Sequence, residues 1–259
     1  MADFSAKDVQ ELRKSTGAGM MDSKKALTEA EGDMEAAVQL LREKGLAKSA
    51  KLSDRDNSEG VVAIAQSDAG AALVHLKSET DFSAKSDDFQ AFVQKMADTV
   101  LTGGEAALST LDAELEELKL TLKENIEVGT VAHYAAAEGK VIDAYLHSGG
   151  RAGVLIEGEG VDADLLHEIA LHIAFAKPTF LTRDEVPAEA VEKERASLLE
   201  ITKSEGKPEA AWEKIVDGRV NSWFADSVLT EQGMFGEKEK VASKLGSGTL
   251  NRFVLAMVG

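Results

Sequence analysis

The hydrophobic positions along the chain change their period several times, and each change marks an element. Ser5 and Asp8 form a capping-box pair that opens a first helix. Val9, Leu12 and Arg13 then begin a 3.6-residue pattern, which two glycines in "STGAGMMD" interrupt. Asp22 is expected to cap a second helix carrying Ala26 and Leu27. After "EGD", Asp33 caps a third helix with Met34, Ala37, Val38 and Leu41 on one face, and Gly45 is expected to end it. Three short helices make a small bundle of marginal intrinsic stability. The polar stretch "AKLSDRDNSEG" that follows reads as a linker.

A weak internal repeat comes next. Residues 61–76 give two strand-like runs around a "SDAG" turn, then an amphipathic helix with Phe89, Phe92, Val93, Met96 and Val100 on its buried stripe. Residues 141–156 repeat the hairpin around "HSGGR", and a helix follows with Leu165, Leu166, Ile169, Ile173 and Ala174. Between the copies, Leu111, Leu115, Leu118 and Leu122 share a helical stripe, and "VAHY" (131–134) adds a strand to either half. Residues 183–229 hold two helical patterns around "SEGKPE", an antiparallel helical hairpin whose second helix starts near Pro208. Its stripe is Trp212, Ile215, Val216, Val220 and Trp223. The tail "TLNRFVLAMVG" is strand-like and returns to the second sheet.

The predicted fold is therefore α+β: a three-helix N-terminal bundle, two related α+β subdomains with antiparallel sheets, and a protruding antiparallel helical hairpin. The boundaries fall at 1–49 for the bundle, 50–60 for the linker and 61–140 for the first subdomain. The second takes 141–182 and 230–259, with the hairpin at 183–229.

Composition narrows the function. No apolar run approaches the roughly 20 residues of a membrane span, and the N-terminus lacks the basic and apolar regions of a secretory signal. The chain has no Cys, so disulfides, thiolate nucleophiles and Cys-based zinc sites are excluded. A cytoplasmic location is expected. The net charge is −17, and residues 1–51 are balanced, so the whole acidic excess lies beyond them. A field of that sign repels phosphate backbones, which argues against direct nucleic-acid binding and for a protein partner.

Catalytic patterns are thin. His167 and His172 in "LHEIALH" are five residues apart, which turns their rings about 140° away from each other on a helix, against metal chelation. His75 alternates within a strand and reads as a satisfied core or surface residue. His133 and His147 lack acidic or hydroxyl partners at telling positions. No GxxxxGK[ST] loop, dinucleotide fingerprint or nucleophile elbow occurs. "TGAGMM" lacks the phosphate-binding Lys, and "LHSGGRAG" reads as a hairpin turn. No cofactor, metal site or catalytic residue is expected, so the chain reads as a binding protein rather than an enzyme.

Its site is then sought among exposed apolar groups. Met20 and Met21 are adjacent, so one short helix does not readily bury both: either one lies in the core and the other is incidental, or they form an adaptable contact surface. Phe82 has two readings. It lies seven residues before Phe89, about 20° off the same helical face, so it either starts the buried stripe early or stands in the open. Trp223 and Phe224 cannot share one face, which leaves one of them to seal the base of the hairpin.

Several stretches carry a resemblance. "LRKSTGAGMMDSKKALTEAEGDMEAAVQLLREKG" is similar to the N-terminal signature of the bacterial elongation factor Ts family, in which Cys often replaces Ser23. "ETDF" resembles the central motif of that family. "HEIALHIAFAKPTFL", "VEKERASLL", "GKPE" and "KIVDGRV" resemble the stretch beyond it. The family consists of guanine-nucleotide exchange factors for the GTPase elongation factor Tu. The resemblance implies a ubiquitin-associated-like bundle that packs on the GTPase domain through Leu12, Met20 and Met21. It implies that Thr80, Asp81, Phe82 and Ser83 form a tip entering near the partner's magnesium and disturbing that site. It places His172, more weakly, near the contact with the partner's barrels, and it leaves homodimerisation through the hairpin open.

Three departures matter. Ser83 stands where the family often has Val, which is expected to weaken apolar anchoring beside Phe82. Gln232, Gly233, Met234 and Phe235 replace a Pro-containing "QPF". The chain stops at Gly259, so the additional C-terminal module of some members is expected to be missing. The rival reading is a ubiquitin-associated-like adaptor for another protein, against which "ETDF" counts.

Overall fold

The computed structural model describes residues 4–16, 18–49 and 55–259, with side chains described outside 45–49. The N-terminal helices are α1 (Ala6–Thr16), α2 (Met20–Glu29) and α3 (Met34–Ser49). Their common core is Val9, Leu12, Ala26, Leu27 and Ala37, with Met34, Val38 and Leu41 packed against it. The Ser5–Asp8 box forms as expected: the Ser5 N–H donates to Asp8 Oδ2 at 2.6 Å and the Asp8 N–H to Ser5 Oγ at 3.3 Å. The Asp33 carboxylate accepts from the Ala36 N–H at 2.9 Å and caps α3.

Two boundaries differ from the expectation. Gly19, not Asp22, is the N-cap of α2, so Asp22 sits inside its first turn. And α3 continues through Gly45, because a single glycine costs only about 1 kcal/mol in a helix and no breaker follows it. Residues 50–54 of the expected linker lie outside the described residues, and the first strand already begins at Glu59.

The first sheet has the order β1 (Glu59–Ser67), β2 (Gly70–Ser78), β3 (Glu127–Ala135). "VAHY" thus belongs to this sheet. The short helix α4 (Asp81–Ala84) leads into α5 (Asp87–Gly103), and α6 (Asp112–Leu122) precedes β3. The α5 stripe and Leu111 and Leu118 pack with β1 and β2 into one core, with Leu115 and Leu122 at its margin. The second sheet has the order β4 (Lys140–His147), β5 (Ala152–Glu159), β6 (Thr249–Met257), both sheets being antiparallel. Helix α7 (Ala163–Ala176) covers it through Leu166, Ile169 and Ile173. Both central strands, β2 and β5, are buried almost end to end, which is why their sequences run apolar instead of alternating.

Glu157 on β5 is buried but doubly paired, with Lys140 Nζ at 2.8 Å and Arg252 at 2.9 Å. Burial alone would raise its pKa. The hydrogen bonds and charges of Arg252 and Lys140 more than offset that and hold the carboxyl below its usual range.

The hairpin is α8 (Ala188–Ser204) and α9 (Trp212–Ser227), held by Arg195–Asp217 at 2.5 Å and Arg219–Glu205 at 2.7 Å. Phe224, rather than Trp223, is the buried aromatic at its base, with the Arg183 guanidinium 4.3 Å above its ring. A last short helix, α10 (Val241–Lys244), precedes β6. No described helix is long and apolar enough to cross a membrane.

His75 corrects one expectation. It is buried on β2 and its Nε2 has no hydrogen-bond partner among the described residues, so it is not a satisfied core residue there. A side chain at Gly129 on the neighbouring strand would approach Nδ1 to 3.0 Å, so glycine leaves room for the ring. Burial first, and Lys77 second, push its pKa down to about 4. The folded state thus holds His75 neutral while the unfolded chain, near 6.5, takes up a proton. Stability is full above that value and is lost as pH falls toward 4. Urea unfolding is expected to lose about 2 kcal/mol between pH 7.5 and pH 5, and a His75→Leu variant to lose markedly less.

Candidate partner-binding surface

The chain between β2 and α5 makes two successive helix starts. Thr80 is extended (φ −126°, ψ 151°) and its hydroxyl accepts the Ser83 N–H at 3.3 Å, capping α4. Ser86 is extended again and caps α5 through the Phe89 N–H at 3.4 Å. The second cap breaks the helical phase between Phe82 and Phe89. Phe89 goes fully into the core, and Phe82 is 84% exposed. In the four residues of α4 the small side chains Ser83 and Ala84 turn inward and the aromatic ring turns out. An uncovered Phe forgoes roughly 1.5–3 kcal/mol of burial.

Asp81 beside it pairs with Lys85 at 2.6 Å. That hydrogen bond and the lysine charge hold its carboxyl below the usual range, so it is ionised at neutral pH. Ser83 lies beneath the turn. It is buried, its N–H bonds to Thr80 and its carbonyl accepts from Ser86 Oγ at 2.8 Å.

In the bundle, Met20 and Met21 are 46% and 63% exposed. They occupy the first turn of α2, whereas its core-facing stripe begins at Ser23 and runs through Ala26 and Leu27. Leu12 is fully buried among those residues. It therefore supports the bundle from inside.

His172, which the resemblance places near a partner contact, is likewise buried in the free chain. Its Nδ1 accepts the Phe235 N–H at 3.1 Å, so Nε2 carries the proton and donates to Gln232 Oε1 at 3.0 Å. The Gln232 amide in turn donates to the Asp226 carbonyl at 2.7 Å. Burial lowers the imidazole's pKa and the Gln232 bond only partly opposes it, so the ring is neutral. This network fixes the loop in which Phe235 has left-handed backbone (φ 50°). The Phe235 ring stands edge-on to His172, centroids 5.4 Å apart, and 6.3 Å from Phe175. Phe175 is 68% exposed and Phe235 47%. Sequence reasoning missed this aromatic pair; its signal was a Phe three residues after His172, outside the buried stripe of α7. Among the described residues no group of three His, Asp or Glu side chains could hold a metal ion.

The sequence model of the family described as Elongation factor TS matches residues 79–259. Elongation factor Ts of Clavibacter sepedonicus is 42% identical over 260 residues, covering 95% of this chain and 94% of that protein. Elongation factor Ts of Deinococcus radiodurans is 40% identical over 97% of this chain and 98% of its own length. The protein of that name from Cutibacterium acnes is 41% identical over 99% of both. With relatives matching it over nearly its whole length, the chain belongs to the elongation factor Ts family of translation elongation factors.

Proposed function

We propose that this chain binds the GDP form of elongation factor Tu, disturbs its magnesium and phosphate site, and so promotes GDP release and exchange for GTP. The observation that carries the reading is Phe82, 84% exposed on a doubly capped turn inside the family's central motif. No covalent chemistry is required. An exchange factor and a nucleotide that favour different conformations of one GTPase weaken each other's binding by the same factor. Burying the Phe82 ring supplies roughly 1.5–3 kcal/mol toward displacing contacts around the ion. The ionised Asp81 brings an acceptor that competes for the polar groups there.

Met20 and Met21 form a second anchor, with polarisable side chains suited to an adaptable contact. Phe175 and Phe235 form a third, presented by the loop that His172 and Gln232 hold. Leu12, Thr80, Ser83 and His172 act from beneath these surfaces.

The test is release of labelled GDP from elongation factor Tu. Added protein is expected to accelerate release steeply, reaching a plateau as the factor saturates. A release rate that stays at its spontaneous value at every concentration would remove the exchange assignment and favour an adaptor role.

A further inference from the structure

The Phe82 tip is tied to a distant turn of the same subdomain. Helix α6 ends at Lys123, whose left-handed backbone (φ 60°, ψ 34°) turns the chain so that Glu124 and Asn125 face the end of β2. One carboxylate oxygen of Glu124 accepts the N–H groups of Glu79 at 3.1 Å and Thr80 at 3.2 Å. The other accepts the Thr80 hydroxyl proton at 2.6 Å. The clamp is reciprocal, since the Glu79 carboxylate accepts the Asn125 N–H at 2.7 Å. Asn125 is anchored in turn through its side-chain amide to the Arg55 carbonyl at 2.8 Å.

The chemistry of the middle atom is what matters. A threonine hydroxyl has one proton and two lone pairs. Committing the proton to Glu124 leaves the lone pairs for the Ser83 N–H, which is the cap that starts α4 and turns Phe82 outward. A carboxylate is acceptor-only, so it fixes the direction of all three bonds. Without it two backbone N–H groups at a half-buried turn lose their partner, and the tip opens more often before it binds.

We infer that Glu124 is a positioning residue that holds the Phe82 tip in the geometry its partner meets; the inference rests on the reading of Phe82 as the inserted group. Glu124 touches neither partner nor nucleotide and acts through Thr80. Glu124→Gln keeps the size and one acceptor, but an amide NH2 facing Thr80 can only donate, so the Thr80 hydroxyl proton loses the acceptor that fixed its direction.

The experiment has two readouts on the full chain. Amide hydrogen exchange in Glu124→Ala is expected to quicken about tenfold or more at Thr80, Ser83 and Ala84 and to stay unchanged at Val74 and Leu76 in β2. Glu124→Gln is expected to fall between the two. In parallel, the maximal GDP release rate is expected to drop about fivefold to tenfold in Glu124→Ala, yet less than about twofold when Phe82→Ala is already present. Unchanged exchange at the tip, or equal losses in both backgrounds, would overturn the positioning role. Release that responds to Phe82→Ala but not to Glu124→Ala overturns the role of Glu124 alone. Release insensitive to Phe82→Ala overturns the wedge, and this inference with it.

Discussion

Replacing Phe82 with alanine is expected to cut the maximal acceleration of GDP release by roughly 10- to 150-fold while leaving the fold intact. The magnitude is the burial energy of one phenyl ring, about 1.5–3 kcal/mol, converted at about 1.4 kcal/mol per tenfold. The fold survives because the ring is 84% exposed and contributes almost nothing to its own core. Thermal unfolding of the variant should match the wild type within about 0.5 kcal/mol, as for surface positions elsewhere. This dissociation of activity from stability distinguishes a presented side chain from a packed one. Phe89→Ala supplies the contrast. Its ring is fully enclosed by the first core, and its loss should cost about 3–5 kcal/mol of stability.

Leu12→Ala is expected to abolish the N-terminal bundle rather than trim a contact. Leu12 is fully enclosed, and a buried Leu→Ala change costs about 2–5 kcal/mol. Three short helices around a core of Val9, Leu12, Ala26, Leu27 and Ala37 have little stability to lose. Hydrogen exchange should show protection disappearing from α1 to α3 with β2 and β5 unaffected. The half-saturating concentration for GDP release should rise about tenfold or more, as when a central anchor of an interface is removed. Met21→Ala should raise that concentration too, but without loss of bundle protection. If Leu12→Ala leaves the helices protected and still weakens binding, Leu12 is a contact residue after all.

The sequence made the periodic parts legible. Capping at Ser5 and Asp33, the stripes of α5 and α7 and the pairing of the tail with the second sheet all follow from local rules that the structure obeys. Phe82 shows where such rules stop. The 20° phase argument that joined it to Phe89 assumes one unbroken helix, and the Ser86 cap breaks it. That signal was present as Ser86 followed by Asp87 and Asp88, an ordinary helix start. For Leu12 and His172 it is their burial that local rules left unread. The resemblance marked them as contacts, but their environment is made by tertiary partners, and the Gln232 bond spans 60 residues of sequence. Glu124 acts across 44 residues on Thr80, which no local pattern encodes. The unpartnered Nε2 of His75 is equally invisible to alternation, because burial of β2 on both faces leaves no polar side for it.

Oxidative footprinting of the native chain, free and saturated with nucleotide-free elongation factor Tu, reads the fate of the Phe82 ring directly. Radical labelling of Phe82 is expected to be strong in the free protein and to fall about tenfold or more in the complex, in keeping with full burial of an interface anchor. Labelling of Phe82 that stays the same in the saturated complex would contradict insertion of this side chain into the partner.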